Sequence, residues 1–143
     1  MKYFRIEEFL RTGSGRLNEA NFEVRLNIQY LVEKVLDPAR EWFNAPIRIN
    51  SGYRSVAVND AVGGSATSQH LTGEAADISC NSNGALFRWI MRNCNFDQLI
   101  WEFGDKTNPE WIHVSCRRTG INRGEVLMAA RDGNGKTVYR KIG

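Results

Sequence analysis

Ser68-Gln69-His70-Leu71-Thr72-Gly73-Glu74-Ala75-Ala76-Asp77 holds one of only two histidines in a chain of 143 residues. Gly73 lets the backbone turn, and the small residues that follow lead into Ala75-Ala76-Asp77-Ile78-Ser79-Cys80, which reads as a short buried strand packed closely by its neighbours. His70 and Asp77 can therefore point to one place. The second histidine, His113, stands among apolar residues in Glu110-Trp111-Ile112-His113-Val114-Ser115, where an imidazole needs a partner. Neutral imidazole is the commonest protein metal ligand, and catalytic zinc is held by three N/O side chains with one position left open. His70, Asp77 and His113 form such a set. Taken singly, each also has a plainer reading, as a hydrogen-bonded surface pair or as a core histidine satisfied by a carbonyl.

Upstream, Val24, Ile28, Leu31, Val32, Val35 and Leu36 recur at helical spacing and predict an amphipathic helix from about residue 21. Asp37-Pro38 reads as an N-cap and a first-turn proline, opening a second helical turn or more that carries Trp42 and Phe43 as core or staple residues. Ile47-Arg48-Ile49-Asn50 alternates as a half-buried strand, and the turn Ser51-Gly52-Tyr53-Arg54-Ser55 delivers Tyr53 and Arg54 at its end. A short helix over 55–62 stops at Gly63-Gly64.

Downstream, Ser82 or Asn83 starts a helix whose buried face carries Leu86, Phe87, Trp89, Ile90 and Met91. Two strands follow, one within 96–103 and one over 111–116, and Asp132-Gly133-Asn134-Gly135 joins two more as a hairpin. The sum is an α+β fold with helices on one face of a small, mostly antiparallel sheet. We expect one domain over 1–143, with 1–18 as a capping segment and 117–143 as a C-terminal hairpin.

Composition is that of a globular protein, 42% hydrophobic and 24% charged; the net charge of +3 is too small and dispersed to suggest nucleic-acid binding. Cys80, Cys94 and Cys116 are odd in number and lack zinc-finger spacing, so reduced thiols are expected. One pair, Cys80 with Cys116, stays open because each follows a candidate ligand at the same spacing. There is no apolar run long enough for a membrane span, and the charged N-terminus lacks a signal-peptide pattern.

Three ligands around a divalent ion leave room for a water whose pKa falls to about 7. A carboxylate not bound to the ion can take its proton and pass it to a leaving amine. Glu110 is the candidate, although on a regular strand positions 110 and 113 face opposite ways, so the role needs an irregular strand entry. Arg54 can bind a substrate carbonyl or stabilise the oxyanion that forms, with Tyr53 beside it as a substrate contact.

Ile49-Asn50-Ser51-Gly52-Tyr53-Arg54-Ser55, Asn59, Gly63-Gly64-Ser65, Ser68-x-His70-x-x-Gly73-x-Ala75-x-Asp77 and Glu110-x-x-His113 together resemble the zinc D-Ala-D-Ala carboxypeptidase family of peptidoglycan peptidases. That family includes the dipeptidases of vancomycin resistance and several phage endolysins, and it shares its metal-site plan with the Hedgehog signalling domain. The likeness runs over about residues 20–116. It implies Zn²⁺ on His70, Asp77 and His113, Glu110 as catalytic base, Arg54 on the substrate carbonyl and Ser68 as a further substrate contact.

The expected activity is hydrolysis of an amide bond in peptidoglycan stem peptides, by a carboxypeptidase or an endolysin-type endopeptidase. The alternative is a zinc-containing cell-wall or protein-binding module without turnover. The expected partner is the stem peptide, with no nucleic acid, and the protein is expected to be a monomer. A chain made in the cytoplasm without a signal peptide would suit a phage-encoded enzyme that reaches the wall after release.

Overall fold

The computed structural model describes all 143 residues. A six-stranded sheet runs in the order β1-β2-β4-β3-β5-β6, with β1 Arg48–Ser51, β2 Ala75–Ser79, β3 Gln98–Glu102, β4 Trp111–Ser115, β5 Glu125–Arg131 and β6 Thr137–Lys141. Every pairing is antiparallel except β3 with β5. Side chains alternate across such a sheet, so each strand contributes one row to either face. One row set, including Ile78, Leu99, Trp101, Ile112, Val114 and Val126, joins the helices in the core. The other set, including Asp77, Ile100, Glu102, Trp111, His113 and Leu127, floors an open cavity.

The helical layer is α1 (Ile6–Leu10), α2 (Phe22–Leu31), α3 (Asp37–Phe43) and α5 (Asn83–Asn93), with α4 (Val56–Ala61) near the cavity rim. The predicted stripe is all buried: Val24, Ile28, Leu31, Val32, Val35 and Leu36 enter the core. Asn21 caps α2 by accepting the Val24 N–H at 2.9 Å. The capping segment is anchored through Phe4 and Phe9, which meet edge to face.

Two expectations are corrected here. Asp37-Pro38 opens no new helix, because Val32–Leu36 forms a π-helical turn that carries α2 directly into α3. In that turn the Asp37 N–H reaches back five residues to Val32 O, and the wider spacing admits a proline inside a continuous helix. The Asp37 carboxylate instead accepts the backbone N–H groups of Lys2 and Tyr3. Trp42 is likewise not a core residue: it is 48% exposed and stacks on Trp89 with ring centroids 5.5 Å apart.

The cysteines are all free. Cys80 and Cys116 do follow neighbouring strands, but those strands are antiparallel and Asp77 pairs with His113. Equal steps beyond that pair go in opposite directions, leaving the two thiols about 20 Å apart along the sheet.

Candidate metal centre

The floor of the cavity brings together the three candidate ligands. His70 comes from a 3₁₀ turn (Gln69–Thr72), Asp77 from the middle of β2 and His113 from the middle of β4. Asp77 Oδ1 lies 3.3 Å from His70 Nε2 and 3.2 Å from His113 Nδ1, and the three side chains offer their ligand atoms within 4.8 Å of one another. The imidazole rings meet edge to face at 5.2 Å.

Local structure accounts for each position. Ser68 caps the 3₁₀ turn, its Oγ accepting the His70 N–H at 3.2 Å, and Gly73 closes it with a positive φ of 78°. A side chain at Gly73 would also press on the Val24 carbonyl, 2.8 Å from where a Cβ would sit. On β1 the register slips between Ile49 and Ser51, so that Ser51 and not Asn50 lies opposite Asp77.

The hydrogen bonds test whether these residues fit a metal. His70 Nδ1 lies 2.7 Å from the Gly52 carbonyl oxygen. A carbonyl only accepts, so the ring proton is on Nδ1 and the Nε2 lone pair of the neutral ring faces a carboxylate oxygen. His113 Nε2 is buried without any partner, and its Nδ1 faces the same oxygen. At His70 two acceptors are thus turned toward one another, and a cation between them reconciles the pair. Two imidazole nitrogens and one carboxylate oxygen are a zinc donor set, and a ligand histidine braced by a backbone carbonyl is the usual support around one.

Burial alone raises a carboxyl pKa, but the hydrogen bonds and positive charge that His113 and His70 supply when protonated outweigh it and hold Asp77 far below the usual carboxylate range, so the group stays an anion ready to face a cation. Arg54 completes the arrangement from outside: Nη2 reaches Asp77 Oδ2 at 3.3 Å, Nε reaches Ser51 Oγ at 3.1 Å, and its backbone N–H bonds the His70 carbonyl.

The other expected site residues divide. Ser68 lines the cavity, with its hydroxyl already engaged by the His70 turn. Tyr53 does not line it; its N–H bonds Phe9 O and its side chain packs against the core. Glu110 does not join the ligands. It is exposed and borders a separate depression with Trp101, Asp105, Lys106, Met128 and Arg140. Glu110 lies in a bend just before β4, and its N–H bonds Glu102 O one residue out of step with the Glu102↔Trp111 ladder; this irregular entry leaves the side chain at the separate depression and not in the cavity.

Several cavity residues were not singled out in the sequence. Glu102 is a buried acid, 8% exposed. Burial pushes its carboxyl up to about 7, the Asp77 charge adding to the rise while His113 opposes it. Beside it Phe103 adopts a φ of 59°, rare for a residue with a side chain, and carries its ring against Trp111 and under the Arg131 guanidinium at 4.0 Å. Asp97, 1% exposed, accepts from Gln69 Nε2 at 2.9 Å and from Arg123 Nη2 at 2.8 Å, tying the His70 turn to β3 and the entry to β5. The hairpin β5–β6 walls the cavity with Leu127, Arg131, Thr137 and Tyr139. Its turn was legible in the sequence, but its position beside β3 was not.

A cavity of about 960 Å³ floored by two histidines and an aspartate, on an α+β scaffold with its helices on the opposite face, defines a metal-site hydrolase class. The sequence profile of the peptidase M15 family matches residues 2–115, and the chain belongs to that family. A segment of 56 residues, 38% of this chain, is 39% identical to the zinc D-Ala-D-Ala carboxypeptidase of Streptomyces albus G. That segment spans 22% of the relative's own length.

Proposed function

We propose that this chain is a zinc peptidase that hydrolyses an amide bond in peptidoglycan stem peptides, as a carboxypeptidase or as an endopeptidase. The reading is carried by one observation: Asp77 Oδ1 stands within 3.3 Å of a nitrogen of each histidine on the floor of a peptide-sized cavity. The named activity of the Streptomyces relative supports the substrate class.

In this reading His70 Nε2, Asp77 and His113 Nδ1 hold the zinc. Bound there, zinc supplies a Lewis acid that polarises a carbonyl and makes water acidic enough to react near neutral pH. Arg54 spends one N–H on Ser51 and one on Asp77, which leaves three of its five donors for a substrate carbonyl or the oxyanion that replaces it. Arg117 and Arg131 line the same cavity without a carboxylate partner, and they complement a peptide that carries carboxylates of its own. The Trp111, Phe103 and Ile100 side chains supply the apolar part of the floor.

The reading is tested by incubating the purified protein with purified peptidoglycan, with and without a chelator, and measuring zinc content and released amine. Stoichiometric zinc with chelator-sensitive release of amine is the expected result. Zinc-bound protein that binds the wall and releases nothing would establish the binding module instead. No helix is long and apolar enough to cross a membrane.

A further inference from the structure

We propose that Glu102, and not Glu110, is the carboxylate that moves the proton in this reaction, an inference that rests on the peptidase reading above. Three acids line the cavity: Asp77, Asp97 and Glu102. Asp77 is engaged by both histidines and Arg54. Asp97 is engaged by Arg123 and Gln69. Glu102 has no ion-pair partner.

Its position follows from strand register. Ile100 pairs with His113 and Glu102 with Trp111, so Glu102 shares the cavity face and sits diagonally from His113 across the β3–β4 ladder. Diagonal cross-strand neighbours lie roughly 7–8 Å apart, within reach of a glutamate side chain and a small reactant between them. Glu110 lies outside that ladder, in the bend before β4, and its exposed side chain borders the separate depression with Trp101 and Met128 and not the cavity.

Stability gives no reason for an acid at position 102. A buried carboxylate without a cation is unfavourable, and a glutamine or an apolar residue of similar volume would suit the fold better. Its placement suits chemistry and not the fold, and the strained backbone at Phe103 marks the same spot.

The step balances as a hydrolysis. The water oxygen bonds to the substrate carbonyl carbon and one water proton passes to the Glu102 carboxylate. When the carbon–nitrogen bond breaks, the nitrogen keeps the bonding pair and takes the proton from Glu102, which returns to its starting form. Arg54 holds the oxygen that carries the negative charge in between.

The test compares Glu102→Gln and Glu110→Gln with the wild type. The readouts are kcat and KM on a stem-peptide substrate, zinc affinity by competition with a chelating dye, and melting temperature. We expect Glu102→Gln to keep its zinc affinity within about threefold and its melting temperature at or above wild type, and to lose about 10²–10⁴-fold in kcat. Glu110→Gln should stay within about threefold on every measure. The proposal is overturned if Glu110→Gln loses turnover while Glu102→Gln retains it. It is equally overturned if Glu102→Gln loses zinc in proportion to activity, since Glu102 would then support the metal and not carry the proton. A zinc-loaded wild type without turnover would overturn the peptidase reading itself, an outcome separate from either of these.

Discussion

His70 Nδ1 donates its proton to the Gly52 carbonyl oxygen at 2.7 Å, and that one bond turns Nε2 toward Asp77. Gly52 can do this only because nothing projects from its α-carbon. A Cβ there would sit 2.6 Å from the Phe9 Cα, inside α1.

Gly52→Ala should therefore push β1 away from α1 and tilt the His70 ring. Loss of the group that orients a ligand histidine typically lowers metal affinity by about 10–100-fold. Dye competition for zinc measures the effect; unchanged zinc affinity in a folded Gly52→Ala protein would show that the carbonyl does not orient the ring.

Zinc should bind the folded chain and not the unfolded one, because its ligands come from a turn and two strands spread over residues 70–113. A ligand at 1,000 times its dissociation constant stabilises the fold by about 4 kcal/mol. Removing zinc by dialysis against a chelator should lower the melting temperature by roughly 10 °C for a chain of this size, followed by calorimetry; re-addition should restore it. Equal melting temperatures with and without zinc would contradict a specific site.

Asp97 predicts a pH dependence. Burial raises its pKa, but hydrogen bonds from Arg123 and Gln69 overcome that and bring it down to about 2 from an ordinary value of 3.8. A depressed carboxyl stabilises the fold above its unfolded pKa and ceases to do so as pH falls through the folded one. The contribution, ~2 kcal/mol on the usual linkage, should be complete at pH 6 and disappear between about pH 4 and pH 2. Urea titrations of wild type and Asp97→Asn across that range should converge at the acid end. Parallel curves would remove Asp97 from the account.

Trp42 and Trp89 stack on the helical face, away from the cavity. Trp42→Ala should cost about 1 kcal/mol of stability through the lost stacking and burial, read as a shift in the urea midpoint, with zinc affinity and turnover unchanged. A matching loss of turnover would link the helical face to the site.

Much of the site was legible because it is written in scarce residues. Two histidines in the whole chain, an aspartate at a fixed step from one of them and glycines at the turns between leave few ways to build a metal centre. The helix over 22–36 and the hairpin at 132–135 were legible for a local reason, since periodicity and turn chemistry act between residues close in the chain.

What was not legible shares a different cause. Asp37-Pro38 looks like a helix start by its nearest neighbours, yet a π turn absorbs the proline and the helix continues. Cys80 and Cys116 are equidistant from the paired ligands, yet the antiparallel direction of β2 and β4 separates them. Glu110 is close to His113 in the chain but borders a different depression. Glu102 is eleven positions away and on the same face.

By itself, the sequence determined the candidate donor set, the helix that backs the sheet and the turns that let His70 and Asp77 converge, because residue type and short-range spacing dictate them. Only the tertiary structure decided which carboxylate shares the cavity with that donor set and that β5–β6 forms its wall. Face and pairing depend on strand register, and register is set by hydrogen bonds and packing between segments far apart in the chain.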